Sequence, residues 1–180
     1  MKWIGIIVGV FVAVLVVAIL VLAVLSSRRD AGRLQASIVI RQKPEAVWPW
    51  LYEPDKLKTW VSSLVEVRRD SSGPPANGGH DVWVMQDRNN KNAGMEINSV
   101  VEAAEQNRRL AVRLSARGFH GSAAYTLTDV GDGTTRVDLD SRYEFENRFV
   151  RLMTPLVLWQ AGKKMATDFE RLRASAEGRR

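Results

Sequence analysis

The sequence predicts an α+β domain, an antiparallel sheet followed by one long C-terminal helix, carried behind a single membrane-spanning helix. Three patterns predict it. Residues Trp3 to Leu25 are apolar throughout, without a charge. Residues 34–145 alternate apolar and polar side chains in short runs separated by Gly, Pro, Asn and Asp, which is how half-buried strands read. From Asn147 onward the apolar residues recur at helical spacing instead.

The first run is about 23 residues, or roughly 34 Å as a helix, against a bilayer core of about 30 Å. A helix satisfies every backbone N–H and C=O without water. A cleaved signal peptide would also begin with a basic residue, here Lys2. Its apolar run would be only about 7–15 residues long, with a small-residue cleavage site, and Leu25 interrupts the best-placed small pair. The reading is therefore a retained anchor over residues 1–26, a polar linker over 27–33 and a domain over 34–180. Arg28, Arg29 and Arg33 outnumber Lys2 across the span, which places the domain on the cytoplasmic side of a single-pass protein. Gly5, Gly9 and Ala13 are spaced by four, a pattern that lets two membrane helices approach and make a homodimer, although such residues are also common in any membrane helix.

The domain begins with a strand over Leu34 to Arg41, where Leu34, Ala36, Ile38 and Ile40 share a face. Pro44 opens a short helix with Val47, Trp48 and Leu51 on one side. Pro54-Asp55 opens a second, holding Leu57 and Trp60. Val61 to Arg69 returns to strand, with Val65 and Val67 on one face. Ser71 to Gly79 is a loop. His80 to Gln86 is a strand, Asn89 to Asn92 a turn, and Met95 to Glu102 and Leu110 to Ser115 two further strands. Gly118 and Gly121 bracket Phe119 and His120, after which Tyr125 and Leu127 face one way. Asp129 to Thr134 is a hairpin turn. Val137, Leu139, Tyr143 and Phe145 then oppose Asp138, Asp140, Arg142 and Glu144, one face core and one solvent. The closing helix carries a stripe of Phe149, Leu152, Leu156, Trp159, Ala166, Phe169, Leu172 and Ala176, with Thr154-Pro155 marking a break.

Composition excludes some chemistry. There is no cysteine, so there is no disulfide and no thiolate metal site. The formal net charge is +6, concentrated beside the anchor and in the last helix, where Arg148, Arg151, Lys163, Lys164, Arg171 and Arg173 lie. Basic groups next to a span suit a solvated face or anionic head groups; no nucleic-acid motif accompanies them. His80 and His120 are far apart and stand in no metal or catalytic motif. His120 reads as an exposed turn residue ahead of a general acid or base at a cavity mouth. Glu96, Glu102, Asp138, Asp140 and Glu144 alternate along strands as a solvated sheet face does.

Taken in order, one strand, two short helices, six strands and a long helix, with particular residues, resemble the START-like superfamily, also called SRPBCC, which includes polyketide cyclase/dehydrase-type members. The residues are Ile38 to Ile40 followed by Pro44-Glu45 and Val47-Trp48; Pro54-Asp55, Lys58 and Trp60; Val65 and Val67; Gly78-Gly79; Tyr125-Thr126-Leu127 with the Gly131-Asp132-Gly133-Thr134 turn; and Asp168-Phe169 with Leu172-Arg173. The resemblance covers residues 34–180. It implies a helix-grip fold, a curved antiparallel sheet around the long C-terminal helix, with a hydrophobic cavity between them. Members of the superfamily bind lipids, sterols, quinones or polyketides. Some are enzymes and some regulate partners. No catalytic motif is shared across it, so no catalytic residue is carried over and the reading leans to binding.

Within that fold the aromatic and methionine residues become candidates. Ligand cavities are mainly apolar and Met adapts to irregular shapes. Trp83, Met85, Met95, Phe119, Tyr125 and Trp159 are the expected pocket lining, against the plainer reading that each simply fills the core. The expectation is a membrane-anchored START-like domain that holds a hydrophobic small molecule or lipid and needs no metal and no cofactor. A cyclase/dehydrase-like enzyme and a module regulating a membrane partner are the alternatives.

Overall fold

The computed structural model describes residues 2–28, 30–70, 73–86 and 94–179. Helix α1 (Lys2–Ser26) precedes strand β1 (Arg33–Ile40). Two short helices, α2 (Pro44–Val47) and α3 (Pro54–Trp60), flank a 3-10 turn at Trp48–Leu51. Six strands follow: β2 (Leu64–Arg69), β3 (His80–Gln86), β4 (Gly94–Glu105), β5 (Arg109–Ala116), β6 (Phe119–Gly131) and β7 (Thr134–Phe145). Helices α4 (Arg148–Leu152) and α5 (Thr154–Ala176) close the chain. The expected turn at 89–92 lies outside the described residues, as do Ser71 and Ser72 of the expected loop.

All seven strands form one antiparallel sheet in the order β1-β7-β6-β5-β4-β3-β2. Strands β2 to β7 are successive neighbours, as hairpin-linked strands are. Only β1 leaves this order. It pairs with the last strand, so α2 and α3 carry the chain from one edge of the sheet to the other. Leu139 sits between Ala36 of β1 and Tyr125 of β6 in this register, and its face is the core face. At Gly121, which pairs with Tyr143, an added Cβ would stand 2.2 Å from the Arg142 carbonyl oxygen, so the two strands meet there only because the residue has no side chain.

The core joins the inner sheet face to the helices. Ile40, Val47, Leu57, Trp60, Val137 and Leu172 are all 0–1% exposed. Trp60 and Phe169 bring α3 and α5 together with ring centroids 6.2 Å apart, and the Trp60 indole donates to the Trp50 carbonyl at 2.8 Å. Arg69 clamps the outer edge. Its guanidinium donates to both Asp81 carboxylate oxygens, at 2.7 and 2.8 Å, and to the Tyr52 carbonyl at 2.7 Å. Bidentate pairing of this kind is among the stronger polar contacts, and it ties β2 and β3 to the 3-10 turn.

Three expectations are corrected. A bulge between Leu64 and Glu66 shifts the register of β2, which buries Leu64 and leaves Val65 48% exposed. His120 lies within β6 rather than in a turn. The helical stripe is out of phase in its first half. Asn147 caps α4 through the Phe149 and Val150 amides, the helix breaks at Met153, and α5 restarts with Pro155 in its first turn. Phe149 of α4 is 69% exposed, and the restart turns Leu156 and Trp159 outward, at 42 and 59% exposure, and Leu158 inward. Trp159 is covered on the outside by Lys163, whose Nζ lies 3.5 Å from the ring centre, a cation–π contact.

Among the described residues no helix is long and apolar enough to cross a membrane. Side chains of α1 are described without interruption from Val10, and the apolar stretch from there to Leu25 is about 24 Å long. Every residue from Val10 to Val21 is exposed. The helix touches α4 and α5, and Leu22, Leu25 and Ser26 are half-buried.

Leu172 is fully buried between α3 and the sheet. Leu172→Ala is expected to lower the unfolding free energy by about 2–5 kcal/mol, measured by urea titration.

Candidate functional site

Protein interiors seldom leave voids larger than a water molecule. Here a cavity of about 180 Å³ lies between the sheet and α5. Each strand from β3 to β7 contributes to its sheet wall: Trp83 and Met85, Ile97, Val112 and Leu114, Phe119, Ala123 and Tyr125, and Leu139 and Tyr143. Leu34 of β1 joins them. Trp60, Val61 and Ser62 close one end, and Ala161, Lys164, Met165 and Asp168 of α5 form the roof. Side-chain size explains the space. Ala123 on the floor and Ala161 on the roof are small where larger residues would fill the core. Gly162, beside Ala161, faces β1, where an added Cβ would meet Leu34 at 3.4 Å, an ordinary van der Waals contact.

The walls are apolar except at a few points. Asp168 is only 4% exposed. Its Oδ2 accepts a hydrogen bond from the Ser62 hydroxyl at 3.0 Å. Its Oδ1 is buried without a hydrogen-bond partner, with Arg171 Nη1 3.6 Å away. The Trp83 indole nitrogen is likewise buried and unpartnered. Lys164 reaches the rim and donates to the Ser63 hydroxyl at 3.3 Å. Burial pushes the Tyr125 phenol well above its ordinary value of 10.0, and nearby Tyr143 and Asp168 push it the same way. Burial also raises Tyr143, offset in part by its hydrogen bond with Ser141. Both hydroxyls are therefore neutral near pH 7 and act as hydrogen-bonding groups rather than as phenolate bases.

Of the six residues expected to line a pocket, Trp83, Met85, Phe119 and Tyr125 meet on this wall. Phe119 is held by edge and tilted contacts with Tyr143 and Phe145, at 6.1 and 6.4 Å. Two do not join them. Met95 faces Met85 across the β3–β4 register, but it lies one residue into β4, 40% exposed and off the wall. Trp159 lies on the outer side of α5. Asp168 and Ser62 were missed. The available signal was an acidic residue beside Phe169 on the buried side of an amphipathic helix. Lys164, Arg171 and Arg173 around it make it look like one more surface charge.

The other candidate groups lie elsewhere. His120 is exposed and sits 3.1 Å from Glu144 across β6 and β7, and His80 sits 3.3 Å from Asp70. Glu96, Glu102, Asp138 and Asp140 pair with Arg68, Arg113, Arg136 and Arg33 respectively, away from the cavity lining. Among the described residues no group of three or more His, Asp or Glu could hold a metal ion.

Residues 31–177 match the family described as polyketide cyclase / dehydrase and lipid transport. No curated protein matches the chain. Solved structures share its fold at low identity. A protein from Chromobacterium violaceum is 11% identical with a TM-score of 0.65, over 81% of this chain and 97% of that one. A conserved protein from Geobacillus kaustophilus is 12% identical with a TM-score of 0.67, over 81% and 95%. DynU16, a protein in the dynemicin biosynthetic locus, is 18% identical with a TM-score of 0.59, over 82% of this chain and 48% of that one.

The raised Tyr125 value has a measurable consequence. Above the unfolded value of about 10 the unfolded chain loses the phenolic proton while the folded chain keeps it, so stability falls as pH rises. It is fully present below pH 10. Wild type is expected to lose about 1.4 kcal/mol per pH unit more than Tyr125→Phe above pH 10, read from urea titrations at pH 9, 10 and 11.

Proposed function

Because the chain belongs to the polyketide cyclase / dehydrase and lipid transport family, we propose that it binds a hydrophobic small molecule or lipid in the cavity beneath α5 and that α1 holds it to a membrane as a single-pass anchor. The observation that carries the binding reading is the cavity itself, a largely apolar space of about 180 Å³ lined by six strands, β1 and β3 to β7, and roofed by one helix. Dedicated ligand pockets are apolar with few polar groups, and this one has that character. Its volume is below the 300–1,000 Å³ usual for drug-sized ligands, which favours one ring, or one chain segment with the rest of the molecule outside.

The anchor reading rests on the sequence from Trp3 to Leu25 and on the exposure of α1. A water-facing helix with Phe11, Val14 and Leu20 at 59–67% exposure would be an apolar patch far beyond what monomeric proteins tolerate; lipid removes that penalty. Arg28, Arg29 and Arg33 follow the span in the sequence, a charge bias that favours the domain in the cytoplasm. Tethering keeps the cavity close to a membrane-dissolved ligand and raises its effective concentration. Catalysis of a cyclase/dehydrase-like kind is the second reading, favoured by one observation, the buried carboxylate of Asp168 inside the cavity.

Membranes carrying the full chain are washed with alkaline carbonate, and the retained protein is analysed by native mass spectrometry. The expected result is retention in the pellet and an apolar compound bound at close to one per chain. Ala123→Leu, which fills the floor, is expected to keep the fold and release the compound. Extraction by carbonate would overturn the anchor. A folded wild-type chain that carries no compound, or an equal load in the filled variant, would overturn the cavity as the ligand site.

A further inference from the structure

We propose that α4 and the first half of α5 form a second membrane contact, an apolar and basic surface that rests on anionic lipid head groups beside α1. The proposal rests on the reading of α1 as an anchor. Its basis is where exposed apolar side chains of the domain fall. Phe149 of α4 and Leu156, Val157 and Trp159 of α5 are exposed, and they belong to the two helices that α1 touches. From Val10 onward the half-buried residues of α1 are Leu22, Leu25 and Ser26, at its C-terminal end. The contact therefore lies where the chain leaves the span. The fold holds it there. Residues 27–32 alone separate α1 from β1, and Arg33, the first residue of β1, pairs with Arg142 close to the end of β7, from which the chain enters α4.

Charge selects lipid as the occupant. From Asn147 to Thr167 the sequence holds Arg148, Arg151, Lys163 and Lys164 and no Asp or Glu. The next acid, Asp168, is buried. Elsewhere on the surface Arg33, Arg68, Arg113 and Arg136 each meet a carboxylate. Among the described residues no carboxylate meets the four cations of this segment; Lys163 lies over the Trp159 ring and Arg151 donates to the Phe145 carbonyl at 3.3 Å. Leu156, Trp159 and Lys163 stand at i, i+3 and i+7 of α5 and so share a face. Trp is favoured at head-group level, Lys reaches past apolar surface to place its charge in the polar layer, and an anionic leaflet attracts basic segments beside a span. A second copy of the chain docked here by two-fold symmetry would set the same cations against one another.

The chain has no cysteine, so single labelling sites can be introduced. Full chain carrying Phe149→Cys, Leu156→Cys, Val16→Cys or Val130→Cys is spin-labelled and placed in vesicles of phosphatidylcholine and phosphatidylglycerol. Collisions with dissolved oxygen, which concentrates in lipid, and with a water-soluble nickel chelate are then measured. Val16 reports on the anchor. Val130 is exposed beside the β6–β7 turn, at the other end of those strands from α4, and reports on water. Labels at 149 and 156 are expected to collide more with oxygen, as the label at 16 does, and the label at 130 more with nickel. In phosphatidylcholine alone the labels at 149 and 156 are expected to shift toward nickel while the label at 16 stays unchanged. Nickel-dominated collisions at 149 and 156, with oxygen dominant at 16, would overturn the surface and keep the anchor. Nickel dominant at 16 would overturn the anchor and the surface with it. Protection of 149 and 156 from both reagents would mean that protein covers them and would overturn lipid as the occupant. Equal depth in the two vesicles would overturn the anionic head groups as what the surface rests on.

Discussion

The structure depends on how α5 is held against the sheet. Its C-terminal half is fastened by Phe169 and Leu172, which are 2% and 0% exposed against Trp60, Leu57 and the strands. Its middle, from Ala161 to Met165, meets the sheet with small or flexible residues and leaves the cavity beneath. A helix fastened along its whole length would have closed the core. Thr154 and Leu158 bury its first half as well, at 4% and 8% exposure, so the helix spans the void between two fastened ends. The unusual connection of β1 serves the same end, because β1 at the sheet edge gives α5 its near wall at Leu34 and Gly162.

Much of this was legible in the sequence. The strands with clean alternation, above all β7 with Val137, Leu139 and Tyr143 facing in, read correctly because a half-buried antiparallel strand has no other way to satisfy both faces. The order of elements and the break near Pro155 were legible for similar reasons. Phase was not. The apolar residues Leu156 and Trp159 look like core, but the restart of α5 at Thr154 turns them out. The β2 bulge hid Val65 in the same way. A single inserted residue or helix break moves side chains to the other face without altering composition.

The site was legible only in its apolar part. Trp83, Met85, Phe119 and Tyr125 stood out as aromatic or methionine residues on predicted strands. What leaves the space is the opposite signal, the small residues Ala123 and Ala161, and small residues advertise nothing in a sequence. Its polar part was also hidden. Asp168 lies among basic helix residues and Trp83 reads as one more core aromatic. Only the fold sets Trp83 on the sheet wall and Asp168 on the roof of one cavity. The same fold at 11–18% identity in the structural relatives means that the strands, the short helices and α5 tolerate nearly complete sequence change.

The central claim is that an accessible apolar space exists between α5 and the sheet. Xenon binds such spaces by dispersion alone and needs no polar partner. A crystal of the full chain under xenon pressure is expected to show xenon enclosed by Met85, Ala123, Leu139 and Met165. Xenon absent from that position, with side chains closed over it, would contradict the account.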